Sequence, residues 1–498
     1  MGSCYLEAFF EHIARISGSS SAQMKLKIGE SQSKIASLEC QIASLIAKCE
    51  QERVYLAALQ YSIAPIRSLP VELLAEIFSW TVFEPNTWSP VYERGHFQQT
   101  LYISHVCSHW RKVAQTTPRL WTGPVEISNR RPTKMSIPVY AQELQKWLER
   151  SAPLSIPISF ATDSESTATW EDVRPVLEEA LKISVRWHSC DMYFDSFREV
   201  LLQDLSEYPM DTLETLFIEG DDDSPGPVIP VTLAFGATPR LRRLNMGTGV
   251  NVEISWTQLT RLDLRPESPK DALDILSYCP NLVDVTIVAV AWRQVPEARL
   301  DIVLNRLREL HLTFFESPLF MPFLQCLFAP RLKHLTLHLN DEIVWDAALF
   351  RTFQLRSPNI RRLKLAHSDI TSAQLRDVLV DAPLLKELSL SHCECIDTAL
   401  FRALRYEDGV LPLVPYLHDL QVTFYTNEER DTLKDDMLAD MMSSRWWTDA
   451  QLETISVPPV VSRWTYLYLG PMRDFSQRLM NTIEELRSQG LTVQVGYD

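Results

Sequence analysis

Between residues 213 and 457 the chain repeats one short pattern ten times: an apolar residue, two others, an apolar residue, one other, an apolar residue. The copies begin at Leu213, Leu241, Leu259, Leu282, Leu307, Leu332, Ile360, Leu385, Leu417 and Leu452. Steps between them run from 18 to 28 residues and widen to 32 and 35 at the end. In six copies a proline stands two residues earlier, at Pro239, Pro280, Pro330, Pro358, Pro383 and Pro415. The alternation within each copy predicts a short strand with an apolar side turned inward and a polar side outward. Weaker copies run from Leu120 to Ile127, through Leu154-x-Ile156-x-Ile158, and from Trp187 to Met192. The intervening stretches Ala272–Leu276 and Ser372–Leu379 carry helical spacing. Strand and helix alternating at a fixed period predict an α/β solenoid over 125–498, whose final helix carries Leu479, Ile483 and Leu486, stops at Gly490 and caps the array.

Upstream the period changes. Over 24–64 one heptad position reads Ile28, Ile35, Ile42, Cys49, Leu56, Ile63, and the other reads Ser31, Leu38, Leu45, Glu52, Leu59. Such a seam predicts a coiled-coil helix and a homodimer built through it. Its polar layer at Cys49 and Glu52 leaves one alternative, a single amphipathic helix packed on its own chain. Pro65 ends this helix. Residues 1–23 are expected to be poorly ordered.

Residues 65–124 predict a three-helix unit. Pro70 and Glu72 suit a first helical turn, and Leu73, Leu74, Ile77 and Phe78 follow on one face. A loop with Pro85 and Pro90 comes next, then a second helix near Leu101 to Ala114 that carries Ile103, Val106, Cys107, Trp110 and Val113. Thr117-Pro118-Arg119-Leu120-Trp121 opens a short third element.

Leu-Pro-x-Glu-Leu-Leu-x-x-Ile-Phe, then Val-Cys-x-x-Trp-x-x-x-Ala, then Pro-x-Leu-Trp, together spanning Ile66 to Trp121, resemble the F-box. With the preceding coiled coil and the long insert, the chain looks like the basidiomycete-type fungal F-box-like proteins with C-terminal leucine-rich repeats. The copy from Leu385 to Ile396 resembles the cysteine-containing subclass of those repeats, and Met441–Trp446 resembles a stretch common near the end of such proteins. The resemblance implies docking to a Skp-family adaptor and, through it, to a cullin–RING ubiquitin ligase. On the matching positions the adaptor contacts are expected at Leu69, Pro70, Leu73, Leu74, Ile77 and Phe78, with Val106, Cys107 and Trp110 from the second helix. The same residues would alternatively form an internal three-helix core.

Charge narrows the partners. Lys plus Arg is 48 against Asp plus Glu at 64, a net −16, and no basic block interrupts it. Phosphate backbones and anionic lipid would repel such a chain, so neither nucleic acid nor membrane is expected as a partner. Glu7 and Glu11 interrupt the apolar residues near the start, and no signal-peptide core is expected. The nine cysteines form no Cys-x-x-Cys pair, which predicts reduced thiols and a cytoplasmic or nuclear protein.

Chemistry is sparse. No phosphate-binding, nucleophile-elbow or zinc-protease motif occurs, so no catalytic residue and no cofactor is expected. His105-Val-Cys107-Ser-His109 and His392-Cys393-Glu394-Cys395 have metal-like residue types, but Cys107 belongs to an apolar stripe and Cys393 falls on a repeat's core position. Asp221-Asp222-Asp223 lacks the spacing of a calcium loop. No metal site is expected.

The outward strand positions say more, because a long polar face of mixed charge suits recognition of a protein. The target site is expected near His311, His334, Thr336 and His338, with Arg362 and Lys364 beside them, a locally neutral-to-positive patch on an acidic chain. The alternative is an ordinary solvated face. The resulting expectation is a substrate-recognition subunit of an SCF-type ligase, not itself an enzyme. A repeat scaffold without a ligase role is the other reading.

Overall fold

A computed structural model describes residues 21–82, 90–128, 136–161, 170–194, 205, 207–220, 231–235, 237–290, 292, 301–315, 319–340, 343–424, 435–454, 458–470 and 475–496. Residues 1–20, the Pro85 loop and Asp221–Asp223 lie outside them. The chain divides into two compact units, 1–81 and 82–498. The division therefore falls inside the segment that resembles an F-box, and it groups the second helical stretch with the sheet.

In the first unit, helix α1 (Ser21–Ile63) is unbroken over 43 residues. No proline interrupts it, and its backbone hydrogen bonds are satisfied internally. Its seam residues Ile28, Ile35, Leu38, Ile42, Leu45, Leu56, Leu59 and Ile63 are all exposed. A 3₁₀ turn at Pro65–Ser68 then leads into helix α2 (Val71–Val82), which has Glu72 in its first turn.

The second unit begins with helix α3 (Pro90–Val106) and helix α4 (Ser108–Gln115). The expected single helix is thus two, broken at Cys107. Cys107 has an extended backbone, and its Sγ accepts from the Trp110 N–H at 3.4 Å as the N-cap of α4. Capping requires a non-helical backbone, which is why the helix cannot run through this residue. Trp121 is buried; its indole N–H donates to the Ala114 carbonyl at 2.7 Å, and it packs edge-on to Trp147 at 4.7 Å. Trp147 belongs to helix α5 (Ile137–Ser151), so the Pro-x-Leu-Trp element is anchored to the sheet region.

Among the described residues, fourteen strands form one parallel sheet in chain order. They are β1 (Val125–Ser128), β2 (Ile156–Ala161), β3 (Trp187–Phe194), β4 (Thr215–Gly220), β5 (Arg243–Met246), β6 (Arg261–Leu264) and β7 (Asp284–Val290), then β8 (Glu309–Phe315), β9 (His334–His338), β10 (Arg362–Ser368), β11 (Glu387–Cys393), β12 (Asp419–Thr423), β13 (Tyr466–Leu469) and β14 (Thr492–Val495). Two further strand pairs, Val231–Ala234 with Val250–Glu253 and Ile302–Val303 with Leu327–Phe328, lie apart from it.

The apolar phrase maps onto this sheet directly. Its second and third apolar positions, such as Leu310 and Leu312 or Leu335 and Leu337, are buried on the inner side of the strands. Fully burying each such leucine contributes about 1.5–3 kcal/mol. The first position precedes the strand and closes a turn. The N–H groups of Leu241, Leu332, Leu385 and Leu417 donate to Thr238, Ala329, Ala382 and Val414 at 3.1–3.3 Å. Pro239, Pro330, Pro383 and Pro415 stand second in those turns, where a fixed φ is favourable and no N–H is needed.

Helices return the chain between many of the strands: α6 (Trp170–Leu181), α7 (Pro269–Ser277), α8 (Phe320–Gln325), α9 (Ala347–Arg356), α10 (Ser372–Val380) and α11 (Thr398–Leu404). From α8 to α11 each packs beside the next. Asp346, Thr371 and Asp397 cap α9, α10 and α11 with their side chains. Near the end come α12 (Asp435–Ser444), α13 (Asp449–Thr454) and α14 (Gln477–Ser488).

The last copy starts in a helix: Leu452 lies within α13 and is 36% exposed, while its other apolar positions, Ile455 and Val457, lie outside the described residues. Two apolar residues three apart suit a helix as well as a strand entry, so the pattern is ambiguous there. The strand comes later, at Trp464-x-x-Leu467-x-Leu469, with tryptophan in the first position. Nor does α14 end the array: Gly490 (φ 100°) turns the chain into β14, which pairs with β13.

Candidate recognition surfaces

Helix α2 carries two apolar stripes. Leu74, Phe78 and Val82, four residues apart, are 0%, 2% and 6% exposed. Leu73, Ile77 and Trp80 lie on the neighbouring line and are 54%, 40% and 73% exposed. Spacing of three and four residues places each set on one face of the helix. Leu74 and Phe78, expected as adaptor contacts, are therefore interior residues with no surface to offer. Trp80 belongs to the exposed set although the motif did not single it out; continuing Leu73 and Ile77 by three residues would have found it. Leu69 is half-buried and Pro70 exposed. In the other unit Val106 is exposed at the end of α3, while Cys107 and Trp110 are half-buried.

The second surface is the outer face of the sheet. Register places Arg261, Asp284, Glu309, His334, Arg362, Glu387 and Asp419 side by side across β6 to β12. The next row reads Asp263, Thr286, His311, Thr336, Lys364, Ser389 and Gln421. A third places Thr313 beside His338. The six residues expected at the target site thus do come together, on β8, β9 and β10.

Their charge differs from the expectation. The Arg362 guanidinium is paired with the Glu387 carboxylate, and Arg261 with Asp284 at 2.8 Å. Glu309 stands between two imidazoles, 3.4 Å from His334 Nδ1 and 3.9 Å from His311 Nε2. The hydrogen bond from Arg362 holds the Glu387 carboxyl below the usual carboxylate range, and Glu387 in turn raises the Arg362 guanidinium. Burial pushes the Asp263 and Asp419 carboxyls up, Asp284 adding to the effect at Asp263 and Glu387 at Asp419. The row mixes both signs, with acids side by side at Asp284–Glu309 and Glu387–Asp419, and is no basic patch. Pattern reading places every one of these residues outward; it cannot show which of them neutralise one another, because the partners come from different copies.

Beside these rows runs a stack of rings. His338 and His367 lie 5.0 Å apart at 18°, His367 and His392 4.8 Å apart at 32°, and Phe315 lies 6.0 Å from His338. His367 (φ 52°) and His392 (φ 54°) adopt the left-handed backbone, which is uncommon for residues with a Cβ. Burial lowers the His338 pKa, and the neighbouring His367 lowers it further. Cys393 and Cys395 are interior, and the hydrogen bond with Cys393, followed by burial, raises the Cys395 thiol.

With these surfaces in view, the class that the fold defines is an α/β protein with a large parallel sheet whose outer face is polar. Among the described residues no helix is long and apolar enough to cross a membrane. No family model matches the chain, and no curated protein is detectably similar to it.

Proposed function

We propose that this chain is the substrate-recognition subunit of an SCF-type ubiquitin ligase, carrying an F-box-like segment and a leucine-rich-repeat solenoid. The observation that carries the reading is the exposed Leu73, Ile77 and Trp80 stripe, which directly follows the Leu-Pro pair of the F-box-like motif. A soluble chain seldom leaves a contiguous apolar stripe uncovered unless a partner covers it. In this reading α2 docks a Skp-family adaptor, which links the chain to a cullin–RING ligase. The outer sheet face holds a protein target through rows of mixed charge. A fixed pattern of mixed charge selects a partner by complementarity and rejects a misaligned one. Ubiquitin transfer belongs to other subunits, no residue of this chain is catalytic, and the complex works in cytoplasm or nucleus. The exposed seam of α1 joins two copies, which doubles the target sites and raises avidity.

Burial of Leu74 and Phe78 favours a second reading, a leucine-rich-repeat scaffold without a ligase role, since it removes two of the expected adaptor contacts. Co-purification of the full chain with a recombinant Skp-family adaptor separates the two. The ligase reading expects a stable complex that Leu73→Asp with Trp80→Asp abolishes while the thermal melt stays unchanged. A wild-type chain that fails to retain the adaptor leaves the scaffold.

A further inference from the structure

We propose that Asp284, Glu309 and His311 form a binding site for a first-row divalent transition ion, Zn²⁺ foremost, on the outer face of the sheet. This goes beyond the ligase reading and does not depend on it. Asp284 on β7 and Glu309 on β8 are register partners, and His311 stands two residues beyond Glu309 on the same side of its strand. One carboxylate oxygen from each acid and one imidazole nitrogen all lie within 4.8 Å of one another. Ligands about 2.0–2.2 Å from a tetrahedral zinc are separated by about 3.4 Å, so shifts below an ångström in three side chains close the site. The backbone need not move, because two in-register parallel strands already set the spacing.

The surroundings fit a cation. Arg261 holds Oδ2 of Asp284 at 2.8 Å, which leaves the other oxygen to turn toward the site. His334 approaches Oε1 of Glu309, and Oε2 faces His311. Both acids are thus oriented by a neighbour on their far side, as outer partners orient metal ligands. Asp284, Glu309 and His311 keep 15%, 41% and 36% of their side-chain surface, so an ion can enter and a fourth position stays open to solvent. Two oxygens and one nitrogen suit Zn²⁺ and its neighbours; Mg²⁺ and Ca²⁺ require more oxygens, and a soft ion requires sulfur.

The ligands come from two copies of the repeat, 25 residues apart in the chain for Asp284 and Glu309, so no linear motif announces them.

The test is calorimetric titration of Zn²⁺ into the full-length chain, repeated for Glu309→Gln and His311→Ala, with His109→Ala as control. These side chains are partly exposed and outside the apolar interior; thermal melts verify that each variant is folded. The expected result is one equivalent of Zn²⁺ bound by the wild type and the control and lost in both variants, unaffected by excess Mg²⁺. Co²⁺ substituted at that equivalent should show weak visible bands without the near-ultraviolet thiolate band, which distinguishes this site from one at the exposed Cys40 or Cys49. Equal stoichiometry and affinity in wild type, Glu309→Gln and His311→Ala overturn the proposal, as does a wild type that binds no Zn²⁺.

Discussion

The Arg445 guanidinium lies 4.8 Å over the Trp464 ring, and its Nη2 donates to the carbonyls of Val414 and Leu417 at 3.0 Å each. Those carbonyls belong to the turn that enters β12, and Trp464 leads into β13. One side chain therefore fixes the entries of two adjacent strands from the end of α12. Arg445 is 2% exposed, and burial pulls its pKa down to about 10, which leaves it charged at neutral pH.

Replacing Arg445 with Met should lower folding stability by about 2–4 kcal/mol, because buried carbonyls lose their donor and the cation–π contact goes with it. Urea unfolding of the full chain measures this. A loss below about 0.5 kcal/mol, the scale of an ordinary surface change, would falsify the bracing role.

Gly470 follows β13, and its N–H donates to the Val422 carbonyl at 2.6 Å. A Cβ there would meet the Thr423 Cα at 2.8 Å, a backbone atom that cannot swing aside. Gly470→Ala is expected to cost about 1–3 kcal/mol through overpacking, read as a shift in the urea midpoint at constant slope. An unchanged midpoint would show that the two strands separate at no cost.

Protonation of His338 couples folding to pH. Its folded-state pKa lies below the ordinary 6.5, by burial first and by His367 second. The unfolded chain therefore takes the proton first. The stability linked to this group is complete above 6.5 and declines as pH falls toward the folded value. His338→Gln should flatten the decline in melting temperature between about pH 7.5 and 5.5 relative to wild type. Parallel curves for the two proteins would sink the assignment.

The exposed seam of α1 predicts a dimer. Light scattering of the full chain should give twice the mass of one copy at micromolar concentration, and a chain starting at Pro65 should give the single mass. The same single mass for both chains would mean that α1 lies along its own molecule.

Most of the sheet is legible in the amino-acid pattern, and particular residues show why. Leu310 and Leu312 alternate with His311 because side chains on a strand alternate, and Pro330 two residues before Leu332 marks the turn that starts the next strand. Leu452 misleads because a helix also places apolar residues three apart, and Trp464 escapes because the first position of the ten clear copies holds leucine or isoleucine. The outer face was legible as a roster of polar residues. Its pairing was not: Glu387 cancels Arg362, and His334 approaches Glu309, through register across copies that no local pattern encodes. Cys107 escapes for a different reason, since a thiol acting as an N-cap carries no distinctive signal.

In-register pairing from β6 to β12 persists although the connecting lengths differ by many residues. Insertions and deletions between strands leave the rows aligned, because each turn resets the start of its strand. Outward residues can then be exchanged one at a time while the leucines beneath them stay constant. Such an architecture separates the shape of the sheet from the chemistry of its outer face, so that the second can be altered by point substitution while the first is kept.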